Sequence, residues 1–549
     1  MIGILSFVGF TALVAIIAYF ATRRTDESTS DGYFLGGRSL TAGVIAGSLL
    51  LTNLSTEQIV GLNGSSYANG LSVMAWETLA AIAIVVTAIF LLPRYLKGGL
   101  TTVPQFLAER YDVTTKTLTS GLFLTGYVVV LLPIILYSGS VAISGMFDVP
   151  TLLGVSDDAA IKICVWGIGI IGSIYAVFGG LKAVAVSDSI NAIGLLIGGI
   201  LVPIFGLVII GDGSFLEGIT TLTETNPEKF QSMGDETSPV PFHTLFTGMM
   251  LVQLFYWGTN QQIIQRALAA KNLKEGQKGL MLASFIKILG PLIVVLPGII
   301  AFHIFGADLE NGDEAYPLLV NRVLPGYLIG FFAAVIFGAI LSSFNSVLNS
   351  SVTLFGIDIY KQHINKDANE KTIVRYGKIF GIVLAVAAMF IAPLIANAGS
   401  LFDYLQEVNG IYSIPILTII VVGYLTKYVP AIAAKIGLIS GSLLYILSQF
   451  GLKPYLAESA LEDAAARGIT DAAELAAIEA SAYPHYLDVM AILFVLNVVI
   501  MLVIGKLRPR KTPYLQEHTK QVDITPWKFV KPVGFAIIII VVGVYAYFA

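Results

Sequence analysis

Several residues in this sequence stand where an apolar chain has no cheap place for them. The stretch GSLLLTNLSTEQIVGLNGSS puts Asn53, Ser55, Thr56, Glu57 and Gln58 in the middle of an apolar run. Trp76 and Glu77 open a second such run. Gln253, Tyr256, Trp257, Asn260, Gln261 and Gln262 cluster in a third, and Lys287 sits in SFIKILG. Gln253 and Tyr256 are three residues apart, so a helix would put them on one face. Amides with one carboxylate and one ammonium can pair the hydroxyls of a hexose, each both donor and acceptor, while an aromatic face covers the apolar side of the ring. Farther on, Ala339, Ser342 and Ser343 follow i, i+3, i+4 spacing and form one small hydroxylated face. Such a face suits sodium, a hard cation that takes hydroxyl and carbonyl oxygens. It equally suits close helix packing.

The elements that must hold these groups are membrane helices. The chain has 549 residues, 56% hydrophobic and 12% charged, with a mean hydropathy of +0.81. Soluble domains carry about 25% charged residues. Continuous apolar stretches recur from end to end, which excludes the alternating pattern of a β-barrel. Spans are expected near 2–21, 42–67, 71–93, 118–146, 160–179, 184–211, 242–264, 278–305, 325–357, 373–396, 400–426, 431–450, 486–506 and 529–548, an all-α polytopic protein of about 14 helices. The first lacks a preceding basic region and a cleavage site, so it reads as a retained helix. With the N-terminus outside, 26 of the 32 Lys and Arg fall in inner loops, among them Arg23, Arg24, Arg110, Lys116 and Arg266. Outer loops carry acids such as Asp157, Asp158, Asp308 and Glu310. This positive-inside bias supports both count and orientation.

Polar groups inside a span cost several kcal/mol unless paired or wet. The cluster at residues 53–58 therefore points to an unwound helix lining a cavity, with polar glue between helices as the alternative. Lys287 needs a partner, and Glu77 is the in-membrane candidate; snorkelling to the inner surface is the other possibility. Residues 451–484, rich in Ala and Glu, can form an amphipathic helix outside the bilayer or a solvated linker. Cys164, the one cysteine, reads as a core filler. The five histidines show no metal-ligand spacing. The sequence holds no phosphate-loop motif, which argues against ATP-driven transport.

The stretch NLSTEQIVG, the Trp76–Glu77 pair, FYWGTNQQIIQRALAAKNLKEGQKG, AILSSFNSVLNS and FDYLQEVNG occur in the order found in the sodium:solute symporters. The chain resembles that family, closest to its sodium/galactose (sodium/glucose-type) branch, over roughly residues 30–450. The resemblance implies a LeuT-like fold with two inverted five-helix repeats, 42–211 and 242–426, each beginning with a discontinuous helix. Residues 1–21 would be an extra N-terminal helix and 431–549 the C-terminal helices with the 451–484 loop outside. It implies Asn53, Gln58, Glu77, Gln253, Tyr256, Lys287 and Gln406 as sugar ligands. Tyr256 would be an inner gate, with Leu62, Trp76 and Phe402 forming an outer one. Sodium would sit on the carbonyls of Leu51, Leu54 and Ala339 and the hydroxyls of Ser342 and Ser343, with Asp188 on its exit path. Gln253 replaces an asparagine of the sugar-carrying branch, Leu62 a methionine, Trp76 a tyrosine and Ala80 a serine, so the exact sugar is open. The function implied is inward co-transport of a small neutral sugar with sodium across the plasma or inner membrane, without an enzymatic step, nucleic acid or an obligatory protein partner. Sialic acid, myo-inositol or proline is the alternative solute; a gated channel or membrane sensor is the alternative class.

Overall fold

In a bilayer the backbone must satisfy its own N–H and C=O groups, and apolar stretches of this length do so as helices. The structure, a computed structural model, describes residues 2–22, 29–307, 309, 312–395 and 401–549. Arg23, Arg24, Asp308 and Glu310, together with position 1 and the segment ends 396 and 400, lie outside the described residues. Among the described residues there is no extended sheet, only the bridges Leu40–Ala270 and Gly234–Pro241.

Among the described residues eleven helices are long and apolar enough to span, or twelve if the pair Leu273–Leu289 and Pro291–Phe305, bent by 45°, is one span. The expected fourteen are not reached by that measure because some segments are broken. The segment expected at 42–67 divides into Ala42–Asn53 and Thr56–Asn69. The one expected at 242–264 divides into Met250–Gly258 and Gln261–Leu268. Each piece is too short to cross alone. The two broken segments are tied end to end: Leu40 N donates to Ala269 O at 3.1 Å and Lys271 N donates to Leu40 O at 3.1 Å. Asp157–Ile210 is one long helical run folded at Gly180, whose φ of 56° suits glycine.

Residues 451–484 form two short helices, Lys453–Ala466 and Ala472–Ser481. On the opposite side of the bundle, by the expected alternation, residues 508–529 run as an irregular strap. Tyr514 N donates to Lys427 O, Gln516 Nε2 to Arg94 O, Thr519 N to Lys97 O, and Leu273 N to Asp523 O.

Three basic residues expected in solvated inner loops are buried instead. Arg110 donates to the carbonyls of Gly423 (2.8 Å), Thr426 (3.1 Å) and Val429 (2.9 Å), neutralising the carbonyl end of Leu401–Leu425. Lys116 pairs with Asp358 at 3.6 Å. Arg266 bonds Gln262 O, Ser48 Oγ and Ser346 Oγ. A guanidinium that saturates carbonyls and hydroxyls is tolerated in the interior where a bare charge is not.

Candidate functional site

The second segment breaks where its polar cluster lies. Leu54 N donates to Leu50 O at 2.7 Å, and the next bond of the ladder is Ile59 N to Ser55 O at 2.8 Å. The carbonyls of Leu51, Thr52, Asn53 and Leu54 thus leave the backbone ladder. The other broken segment parts at Thr259–Asn260, where the Asn260 side chain caps Gln261–Leu268 by accepting from Gln262 N.

A small cavity lies between the two breaks. Asn53, Glu57, Gln58 and Trp76 line one side, Gln253, Tyr256, Asn260 and Gln262 another, and Leu405, Gln406, Asn409 and Tyr412 a third. Five of the seven expected sugar ligands therefore face one space: Asn53, Gln58, Gln253, Tyr256 and Gln406. Glu77 and Lys287 do not line it. They lie directly behind it, buried and paired with each other. Gln58 Nε2 donates to Glu77 Oε1 at 2.8 Å, and Lys287 Nζ donates to Asn53 Oδ1 at 2.5 Å. The ion pair orients two amides of the wall. A Cβ at position 290 would collide with the Glu77 carboxylate, so Gly290 makes room for it. Gln253 Nε2 is spent on Trp76 O at 2.9 Å, leaving its carbonyl oxygen for the cavity.

Two buried acceptors on the wall have no partner: Glu57 Oε2 and Gln262 Oε1. The sequence reading placed both residues in polar clusters without giving either a role. Asn409 and Tyr412 were missed as well. The signal for Asn409 was FDYLQEVNG, where Gln406 and Asn409 are one turn apart, and Tyr412 follows Asn409 by the same spacing.

Of the expected outer gate, Trp76 and Phe402 meet edge to face, with centroids 5.1 Å apart. Gly61 lets Phe402 approach the broken helix: a Cβ there would lie 2.6 Å from the Phe402 Cβ. Leu62 is buried on the same helix but does not line the cavity.

The expected sodium residues converge from two elements. Ser342 and Ser343, buried on Gly326–Thr353 one turn from Ala339, face the end of Ala42–Asn53. Ser343 Oγ donates to Thr52 O at 3.0 Å, and Thr52 Oγ1 lies 3.4 Å from Ser342 Oγ and 3.1 Å from Ser346 Oγ. Thr52 and Ser346 were not singled out. Of the carbonyls at the break, that of Thr52 meets this hydroxyl cluster through Ser343; Leu51 and Leu54 are its neighbours in the same break. Asp188 accepts from Ser48 Oγ at 2.6 Å, and Arg266 Nε donates to that same Ser48 Oγ at 3.2 Å. A chain of hydrogen bonds thus joins Asp188 to the cluster through Ser48, Arg266 and Ser346.

A family model described as the sodium:solute symporter family matches residues 33–441. YidK of Escherichia coli (strain K12), described as an uncharacterized symporter, is 47% identical over 99% of this chain and 90% of its own length. The sodium/glucose cotransporter of Vibrio parahaemolyticus is 32% identical over 80% of this chain and 83% of its own. Among solved structures, a sodium-coupled sialic acid symporter in a substrate-bound outward-open state has a TM-score of 0.71 at 19% identity, covering 94% of this chain and 99% of that one.

Proposed function

Since the chain belongs to the sodium:solute symporter family, a membrane family of LeuT-like fold with sodium as coupling ion, we propose that it takes up a small neutral sugar of the galactose or glucose kind by alternating access. The carrying observation is the composition of the cavity wall. It offers amides, two unpartnered buried acceptors and aromatic rings, while its nearest ammonium, Lys287, is already neutralised by Glu77. Unpaired buried acceptors cost about 1–3 kcal/mol each, and hydroxyl donors of a sugar relieve them. A carboxylate solute would meet the unpartnered Glu57 oxygen, and the guanidinium bonded to the wall, Arg266, is already engaged by Gln262 O, Ser48 Oγ and Ser346 Oγ. This favours a sugar over sialic acid, and the sodium/glucose relative adds weight to the same reading.

Asn53, Gln58, Gln253 and Gln406 would bind hydroxyls directly. Glu77 and Lys287 would join them by exchanging part of their mutual pairing for the sugar. Tyr256 would close the inner side, and Trp76 with Phe402 the outer. The cavity measures about 40 Å³, space for a few waters and not for a hexose. One of these aromatic gates must therefore retract to admit substrate. Sodium, on Leu51, Leu54, Ala339, Ser342 and Ser343, would fix the break of the first broken helix, which also carries Asn53 and Gln58. Binding of one solute would thereby prepare the other, with Asp188 on the ion's way out.

We place the chain in the plasma or inner membrane with its N-terminus outside and fourteen spans. Contacts between loops support this topology. The strap at 508–529 bonds Arg94, Lys97, Leu273 and Lys427, which alternation puts inside, and the helical pair at 453–481 is tied through Lys453 to Glu407, near the end that it puts outside. The two broken helices opening 42–211 and 242–426 support the inverted repeats. The test is sodium-driven uptake into proteoliposomes with galactose, glucose, myo-inositol, sialic acid and proline side by side. Sodium-dependent uptake of sialic acid or proline with none of the sugars would overturn the sugar assignment.

A further inference from the structure

The helix Tyr486–Leu507 ends in the sequence KLRPRK, residues 506–511. Arg508 N closes it by donating to Ile504 O at 2.8 Å, and Pro509 cannot continue it. The chain then turns into the strap and lies against the loop that follows Leu401–Leu425. Arg510 N donates to Tyr428 O at 2.8 Å, and Tyr514 N to Lys427 O at 2.9 Å. Helix and loop also meet closely, since a Cβ on Gly505 would stand 2.9 Å from Val429 Cγ2. The helix end, the strap and the loop thus bring Lys427, Lys506, Arg508 and Lys511 to one junction.

All four of these residues are exposed. Among the described residues none of them is in an ion pair. The other cations nearby are committed. Arg510 donates to Arg110 O, Arg110 to Gly423 O, and Lys435 pairs with Asp112 at 2.8 Å. Exposed apolar side chains rim the same junction: Leu425 and Leu507 are each 76% exposed, and Tyr428 is 52% exposed. Like charges gathered at the ends of membrane helices repel one another until an anion comes between them.

We propose that this junction binds the phosphate of an anionic phospholipid in the leaflet on the strap's side. The Arg508 guanidinium presents a planar pair of donors to phosphate oxygens, and the three lysines add compact charges around it. Acyl chains would cover Leu425 and Leu507, which a soluble anion leaves bare. That apolar rim selects a lipid over a free phosphate. The topology proposed above puts this face inside, where anionic headgroups attract basic residues next to membrane helices. The strap runs on from here to Arg94, Lys97 and Leu273, so the headgroup holds it at the point where it leaves the helix.

The test is native mass spectrometry of the full chain, delipidated in detergent and titrated with phosphatidylglycerol or with phosphatidylcholine of the same chain length. Binding in detergent does not depend on which way the chain crosses a membrane, so a failed topology and a failed lipid site are distinguishable. Wild type is expected to bind phosphatidylglycerol at least about tenfold more tightly than phosphatidylcholine. The combined exchange Lys427→Gln, Arg508→Gln, Lys511→Gln should abolish that preference. Lys361→Gln, Lys366→Gln, Lys371→Gln, which removes three exposed charges from another loop, should leave it intact. Arg508→Gln alone, expected to cost about fivefold, carries the comparison if the triple variant does not fold. Equal affinity of wild type for the two lipids overturns the site. A loss of preference in the second triple variant as large as in the first also overturns it, because the general field of the face would then suffice. Displacement of phosphatidylglycerol by an equal concentration of inorganic phosphate overturns the lipid as the occupant.

Discussion

At the scale of single residues, the Glu77–Lys287 pair and Ser343 make separable demands. Glu77 and Lys287 are buried and bonded to each other. Removing one partner strands the other charge, which costs about 3–5 kcal/mol. Lys287→Met alone is therefore expected to lower thermal stability sharply, and the double change Glu77→Gln, Lys287→Met to recover most of the loss. Sugar uptake should stay defective in the recovered double variant, because Gln58 and Asn53 lose the partners that orient them. Near-normal uptake there would reduce the pair to a packing device. Ser343 is expected to act on the ion. Its hydroxyl bonds Thr52 O within the hydroxyl cluster, so Ser343→Ala removes one oxygen at little cost in packing. Half-saturating sodium for sugar binding should rise severalfold, while sugar affinity at zero sodium stays near wild type. Superimposable sodium curves would return this face to close packing. These residue types were legible in the sequence because a polar group inside an apolar run is expensive wherever it points. Their pairing was legible only in part. Glu77 was the sole carboxylate considered for Lys287. Nothing in the spacing said, however, that the pair would lie behind the cavity wall, or that Glu57 and Gln262 would be left with free acceptors on it.

At the scale of elements, breaks matter more than helices. The polar cluster at 53–58 announced the first break, because no regular lipid-facing helix tolerates it. The second break, at Thr259–Asn260, was implied only by resemblance. The number of long apolar helices among the described residues falls below fourteen for the same reason, since Ala42–Asn53, Met250–Gly258 and Gln261–Leu268 are short and Thr56–Asn69 runs on with the following helix in Thr56–Lys97. Arg110 and Arg266 misled the reading in the opposite way. Local sequence puts them in basic loops, and only the tertiary fold brings the carbonyls and hydroxyls that let them be buried. The approach of Phe402 to the first broken helix through Gly61 gives an element-level prediction. In Gly61→Ala the new Cβ would stand 2.6 Å from the Phe402 Cβ, so the two helices must separate and the Trp76–Phe402 contact must loosen. Because Cys164 is the only native cysteine and is buried, a Gln406→Cys reporter can be read after Cys164→Ala. Thiol labelling of that reporter from outside is expected to speed up severalfold in Gly61→Ala. An unchanged rate would mean that Phe402 does not guard the cavity.

At the scale of the whole molecule, the positive-inside bias and the loop contacts sort the chain in the same way. The strap ties together the ends at Arg94, Lys97, Leu273 and Lys427, all basic-side positions, while Glu407–Lys453 and His243–Asp488 join positions on the other side. Under the proposed topology of fourteen spans, the partners of each of these contacts fall on one face of the bilayer. With the cycle oriented this way, sodium enters down both its concentration gradient and the membrane potential. One charge crossing about 100 mV contributes about 2.3 kcal/mol, and a tenfold sodium gradient about 1.4 kcal/mol. For a neutral solute carried with one sodium, together these support accumulation on the order of several hundredfold. The expected outcome in proteoliposomes without nucleotide is concentrative sugar uptake under an inward sodium gradient. Making the interior negative with a potassium diffusion potential should raise it further, because the loaded carrier moves net positive charge. Collapsing the potential while keeping the sodium gradient should lower accumulation by about fortyfold to fiftyfold, the equivalent of the voltage contribution. Uptake that is equal with sodium or potassium outside would remove sodium coupling from this chain's cycle. Uptake that needs sodium but ignores the potential would mean that a counter-charge travels with the solute, and the neutral-sugar reading would fall.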